Sequence, residues 1–303
     1  MPSKAKKFNF DKKTKTVIAA AVGVLILIIF LVMAFGTPSS DVVFKDMNDK
    51  MLQVKSVTID QTSELTMASG GGEISSKMYL DMNSSKDLNG TGDFTMSMKG
   101  SQPFSISGDV VKVGDNEYVK ISDLSSSSSA LSANFASIEA KLSDEWIKIR
   151  SKDSFASLAS SAIDFVQSIL PTPYANLNDT QRKDVLTLLQ DKSMYTIDEV
   201  AKVDTAGVSA YKYSLTYSKE QYKKVAKAIS GYIPYFDSGD DSDSEIKSLT
   251  VWVNISTRQI IKIAYEGTSS DGSMEGTISF SGYNESKSVE KPGDYSIESE
   301  LLE

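Results

Sequence analysis

Residues 54–82 read VKSVTIDQTSELTMASGGGEISSKMYLDM, and the period of their apolar residues decides the fold. Val57, Ile59, Leu65 and Met67 share one parity; after the turn at Gly70-Gly71-Gly72, so do Met78, Leu80 and Met82. A repeat of two sends alternate side chains to opposite faces, so this stretch predicts two half-buried strands joined by a glycine turn. Phe94, Met96 and Met98 obey the same rule. Gly100-Ser101 then turns into Phe104 and Ile106, and Gly108 interrupts that alternation as a bend or bulge would. Val111 and Val113, followed by Tyr118 and Val119, complete five successive strands, for which an antiparallel meander is the natural pairing. The intervening positions are mostly Ser, Thr, Lys and Asp, so one face is wet and the other buried.

Outward from this sheet the period changes. Val43, Met47 and Met51, with Phe44, form one stripe of a helix over 41–52. Leu131, Phe135, Ile138 and Leu142 predict a second helix, and Trp146-Ile147-Lys148-Ile149 a short strand. Phe155, Leu158, Ala162, Phe165 and Ile169 form a third helical stripe, stopped by Pro171 and Pro173. Asn178 with Gln181, and Ser218 with Gln221, resemble capping boxes for helices carrying Val185, Leu186 and Leu189, and Tyr222, Val225, Ala226 and Ile229. Strands return at Tyr195–Val203 and Tyr211–Tyr217, then in three closing strands around Val251, Ile263 and Phe280. Thr257-Arg258 is read as a two-residue hairpin between the first two of these. The predicted class is α+β: a large antiparallel sheet of about 10–11 strands with helices gathered on one face.

The N-terminal part has a different character. Val17 to Phe35 holds 19 residues without a charge, about 28 Å as a helix, against about 30 Å for a bilayer core. Lys4, Lys6, Lys7, Lys12, Lys13 and Lys15 precede it, and Asp41 and Asp46 follow. The positive-inside rule then predicts a single-pass protein of the plasma membrane, with a cytoplasmic N-terminus and an extracytoplasmic body. A cleaved signal ending near Val32-Met33-Ala34 is the competing reading, disfavoured by an apolar run longer than the usual signal core. The expected organisation is a basic head (1–16), an anchor (17–35), a linker broken by Pro38 (36–40), the α+β domain (41–296) and an acidic tail (297–303).

Composition narrows the chemistry. The 303 residues include neither Cys nor His, which removes disulfides, thiolate nucleophiles, imidazole bases and the usual zinc sites. The net charge is −8 although the head is basic, so the body is acidic and unsuited to binding nucleic acid. An enzyme would need a working carboxylate pair, and no local pattern selects one; the expectation is no catalysis and no cofactor. The acidic loop Asp237 to Glu245 fails as a calcium-binding EF-hand, because the loop starting at Asp241 places Ile246 and Trp252 where Gly and Glu are needed. It is read as a solvated loop, with no metal site. Matches to the glycosylation pattern at Asn83, Asn89, Asn178, Asn254 and Asn284 are expected by chance in so Ser- and Thr-rich a chain.

A helix followed by VKSVTIDQTSELTM, then NEYVKISDL and EWIKIR, the closing LTVWVNISTRQIIKIAYEG and the terminal ISFSGYN with SVEKP together resemble the LolA/LppX-like family of bacterial envelope proteins across most of residues 41–293. The resemblance implies a strongly curved, incomplete β-barrel whose concave face is lidded by helices. It also implies carriage of lipoproteins or lipids, or sensing of envelope lipoproteins, in the apolar space beneath the lid. Lipidated members are tethered through an N-terminal cysteine, which this chain lacks. A fixed anchor would favour local handoff or sensing over long-distance shuttling.

The residues expected to line such a space are Met78, Leu80, Met82, Phe94, Met96, Met98, Phe104 and Ile106 on strands, with Phe155, Leu158 and Phe165 from the lid. Methionine is flexible and polarizable, which suits an adaptable apolar surface. A Met or Phe stripe more usually fills a solid sheet-on-helix core, which these residues also suit. The first reading predicts a membrane-tethered binder of a lipid or other hydrophobic ligand; the second predicts an interaction or sensor module with an envelope protein partner and no small ligand.

Overall fold

The computed structural model describes residues 54–68, 70–81, 89–101, 103–114, 116–128, 145–149, 195–205, 207–217, 245–269 and 272–297, with single positions 43, 46, 47, 50, 132, 180 and 220. Twelve strands follow in chain order: β1 (Ser56–Met67), β2 (Gly70–Asp81), β3 (Asn89–Met98), β4 (Phe104–Val113), β5 (Asn116–Ser125), β6 (Ile147–Ile149), β7 (Tyr195–Thr205), β8 (Val208–Tyr217), β9 (Glu245–Asn254), β10 (Ile260–Ser269), β11 (Gly272–Ser281) and β12 (Ser296–Ile297). They form one sheet in the order β12-β6-β5-β4-β3-β2-β1-β11-β10-β9-β8-β7. The two meanders read from the sequence are therefore fused where β1 pairs antiparallel with β11, Gln61 opposite Ile278. Val, Ile, Thr, Tyr and Phe recur through these segments, side chains that fit a pleated surface buried on one side.

This architecture corrects the predicted class. The described residues are nearly all β, with no complete helix among them, so an α+β fold with helices covering one face gives way to a single twelve-stranded sheet. Val43, Asp46, Met47 and Lys50 are helical and lie at helical spacing, but the helices expected at 131–142, 155–169, 178–189 and 222–229 lie outside the described residues. The single-pass placement in the plasma membrane is corrected as well. Among the described residues no helix is long and apolar enough to cross a membrane. Their apolar residues alternate along strands and cover one face of a sheet, unlike the all-round apolar surface of a spanning helix. Residues 17–35 lie outside the described residues.

Irregularities shape the sheet. Alternation in β4 continues through Gly108; the extra residue is Ser122 of β5, since Ser107 faces Asp123 while Gly108 faces Ile121. Val110 and Val111 are both buried, on opposite faces, which is why the alternation looked interrupted in the sequence. Further register shifts occur between β9 and β10 and between β7 and β8. Each bulge increases local twist and bends the strand that carries it. The β9–β10 turn is longer than the expected two residues: it runs from Ile255 to Gln259, with Asn254 Oδ1 accepting from the backbone N–H of Ser256 and of Thr257. Arg258 adopts φ 61° there, and its Nε lies 3.7 Å from a carboxylate oxygen of helical Asp46.

After β11 the chain crosses the opposite face of the sheet as a strap. Asn284 N–H donates to Ser56 O, Glu285 O accepts from Ser56 Oγ and from Tyr79 Oη, and Lys287 N–H donates to Tyr79 Oη. Further on, Tyr295 meets Tyr118 edge-on at 5.1 Å, and β12 pairs in parallel with β6 at the far edge.

Candidate binding face

Register places the apolar side chains in rows running across the strands. One row reads Ile121, Gly108, Phe94, Ser76, Gln61, Ile278, Ile263, Val251, Tyr213 and Val200. The next reads Leu124, Ile106, Met96, Ile74, Ser63, Gly276, Tyr265, Leu249 and Leu215. Of the residues expected to line a ligand space, Met78, Leu80, Phe94, Met96, Met98, Phe104 and Ile106 lie together on this face of β2, β3 and β4, and all are buried. Met82, Phe155, Leu158 and Phe165 lie outside the described residues.

Two methionines lie over glycines of the neighbouring strand. A Cβ added at Gly92 would collide with Met78 Sδ and with the Lys77 carbonyl, and one at Gly72 would collide with Met98 Sδ. The face here is surfaced by thioethers lying along the sheet rather than by side chains standing upright. Beyond β11 the character changes: Ile278, Ile263, Ile260, Leu249, Val251 and Val253 are stiff, mostly β-branched and buried.

Between these wings lies a polar strip that the sequence reading passed over. Gln61, Ser63 and Ser76 are buried in the middle of the face. Gln61 Nε2 donates to Ser63 Oγ at 3.1 Å, and Ser63 Oγ lies 2.6 Å from Tyr265 Oη. Among the described residues Gln61 Oε1 and Ser76 Oγ have no hydrogen-bond partner. Burial pushes the Tyr265 hydroxyl up to about 12, against the smaller opposing effect of its bonds to Ser63 and Gln61. The signal was present in the sequence, because residues 61 and 63 share the parity of Ile59 and Leu65. At one end of the face, Lys112 is paired with Glu117 at 3.1 Å. Near the other, the rings of Tyr211 and Tyr213 lie 6.3 Å apart, with the Arg258 guanidinium 5.7 Å from Tyr211. A separate hollow of about 360 Å³, lined by Lys50, Ser256, Thr257, Gln259 and Asn284, is polar and contains none of the expected lining residues.

No protein-family model and no curated protein matches the chain. Among solved structures it is similar to LprF from Mycobacterium bovis, at 13% identity over 84% of this chain and 98% of that one, with a TM-score of 0.47. It is also similar to the lipoprotein LppX of Mycobacterium tuberculosis, at 14% identity over 84% of this chain and 100% of the other, with a TM-score of 0.37. A LolA-superfamily protein from Nitrosomonas europaea shares 7% identity over 80% of this chain and 91% of its own, with a TM-score of 0.20. LprF, LppX and a LolA-superfamily protein are thus among the solved structures that this chain is similar to, and its sequence resemblance named the same group.

Proposed function

We propose that the apolar face of β1–β5 binds a lipid or another hydrophobic ligand, and that the protein acts by binding rather than by catalysis. The observation that carries this reading is the methionine-over-glycine surface at Met78–Gly92 and Met98–Gly72. A thioether on an unbranched chain can swing off a glycine and open a depression without moving backbone, which a branched side chain cannot do. Phe94 and Phe104 add large apolar area beside it. Handing such a ligand to an envelope partner, or sensing it, would use the same face. The test is mass spectrometry of organic extracts from the purified full chain, with titration of a fluorescent fatty acyl probe. Copurified lipid and saturable probe uptake are expected; the absence of both would overturn the reading.

One observation favours a second reading, an interaction module with a solid core. Every described residue of the expected lining is at most 6% exposed. That reading predicts no copurified lipid, no probe uptake and a binding partner at the surface.

A further inference from the structure

We propose that Gln61 and Ser76 form a hydrogen-bonding site for a hydroxyl group carried by an otherwise apolar ligand. The inference rests on the ligand-binding reading above and names the chemistry that this face would select. Gln61 and Ser76 are cross-strand partners on β1 and β2, only 4% and 5% exposed, and both point to the apolar face. The amide of Gln61 is oriented from behind: its Nε2 gives a hydrogen to Ser63, which is itself held by Tyr265. This leaves the carbonyl oxygen of Gln61 and the hydroxyl of Ser76, on directly opposed residues, buried and without partners among the described residues. Such groups are costly to bury unpaired, and they recover most when a complementary group arrives.

The complement is specific. Gln61 Oε1 can only accept, whereas Ser76 Oγ can donate, so one ligand hydroxyl donates to the first and accepts from the second. A carboxylate or phosphate fits poorly, because the flanking residues in the same row are Phe94 and Ile278. Of the lysines on this face, Lys112 is already paired with Glu117, and Lys202 lies against the Tyr211 ring on β7, at the edge of the sheet away from Gln61. A bare hydrocarbon fits poorly too, since it would leave both polar atoms unsatisfied.

The experiment uses the full chain and displacement of a fluorescent fatty acyl probe by methyl octadecanoate or by its mid-chain hydroxylated analogues. The wild-type protein is expected to bind a hydroxylated ester about tenfold more tightly, the effect of a buried hydrogen-bonded pair made good. In Ser76→Ala and Gln61→Leu the preference is expected to fall to about twofold or less, with the plain ester still bound. Equal binding of all esters by the wild type, or an unchanged preference in both variants, would overturn the hydroxyl site while leaving lipid binding intact. Displacement by none of them would overturn the binding reading itself and the site with it. Ser76→Ala loses no internal hydrogen bond, so its melting temperature without ligand is expected to equal or exceed that of the wild type. A clear fall would assign Ser76 a structural role and overturn the proposal.

Discussion

The two wings of the sheet solve one packing problem in different ways. On β2–β4 the apolar face is built from Met78, Met96, Met98, Phe94 and Phe104 together with Ile74, Leu80, Ile106 and Val110, and Gly72, Gly92 and Gly108 lie between them. On β8–β11 it is built mainly from Val251, Val253, Ile260, Ile263 and Ile278, with Leu249, Leu215, Tyr213 and Tyr265, and with Met274 and Phe280 on β11 beside the polar strip. The opposite faces differ too. Behind the methionine wing, the strap fastens to Ser56 and Tyr79 and reaches Tyr118. Behind the aliphatic wing, Trp252 remains half-buried with Lys262 5.4 Å from its ring. Adaptable side chains thus sit on a backbone that the strap braces from behind at β1, β2 and β5, and the strap reaches the stiff wing where the Tyr283 hydroxyl donates to the Ile260 carbonyl. A surface of adaptable side chains can change shape while a braced backbone keeps the sheet from yielding.

The sharpest way to break the comparison is Gly92→Val. The methionine above can move, but the Lys77 carbonyl cannot, since it belongs to the ladder of β2. A cost of about 3 kcal/mol or more is expected in chemical denaturation, as for severe overpacking. A near-neutral result would show that this wing gives way at the backbone as well.

A second test reads the polar strip by pH. Burial disfavours the phenolate and pushes the Tyr265 hydroxyl in the folded protein up to about 12, against about 10 for an ordinary tyrosine. The folded state therefore keeps its proton where the unfolded chain loses it. The stabilisation is fully present below pH 10 and is lost as pH rises from about 10 to 12, a change of about 2 kcal/mol. Tyr213 adds a fall over the same window: burial and, less strongly, the neighbouring Tyr211 raise it to about 12, with Arg258 opposing. Tyr265→Phe is expected to flatten the decline in part and leave the contribution of Tyr213. An unchanged pH profile would show that Tyr265 is not the titrating group.

Much of the methionine wing was legible in the sequence because it depends on local period. Met78, Leu80, Phe94, Met96, Met98, Phe104 and Ile106 were assigned to one face by parity alone, and register places them there. The polar strip was legible by the same rule but was read past, because Gln61, Ser63 and Ser76 do not resemble core residues. The strap was not legible. Residues 282–295 have no period, and their partners Ser56, Tyr79 and Tyr118 lie far away in the chain. The two-residue β12 exists only because β6 is beside it, and no local propensity could announce so short a strand. The five-residue β9–β10 turn was missed for a similar reason: the Asn254 side chain ends the strand by capping two backbone N–H groups, a choice that apolar alternation does not record.

Smaller effects sharpen the contrast from behind and from within. Tyr295→Ala removes the edge-on contact with Tyr118 and is expected to cost about 1 kcal/mol, with faster amide exchange at Ser296. Unchanged exchange there would mean that β12 holds without the aromatic clasp. The finest test exchanges shape at nearly constant volume. Ile263→Leu moves a branch point in the stiff wing, where Val251 and Ile278 stand opposite in register, and about 1 kcal/mol of destabilisation is expected. Met96→Leu makes a comparable change where Ile74 and Ile106 are the register partners and neighbouring thioethers can refill the space, so the expected cost is only a few tenths of a kcal/mol. Urea denaturation of the two variants side by side resolves the difference. Equal costs would mean that the methionines are packed as rigidly as the isoleucines, and the division between an adaptable wing and a stiff one would then be a difference of composition without mechanical consequence.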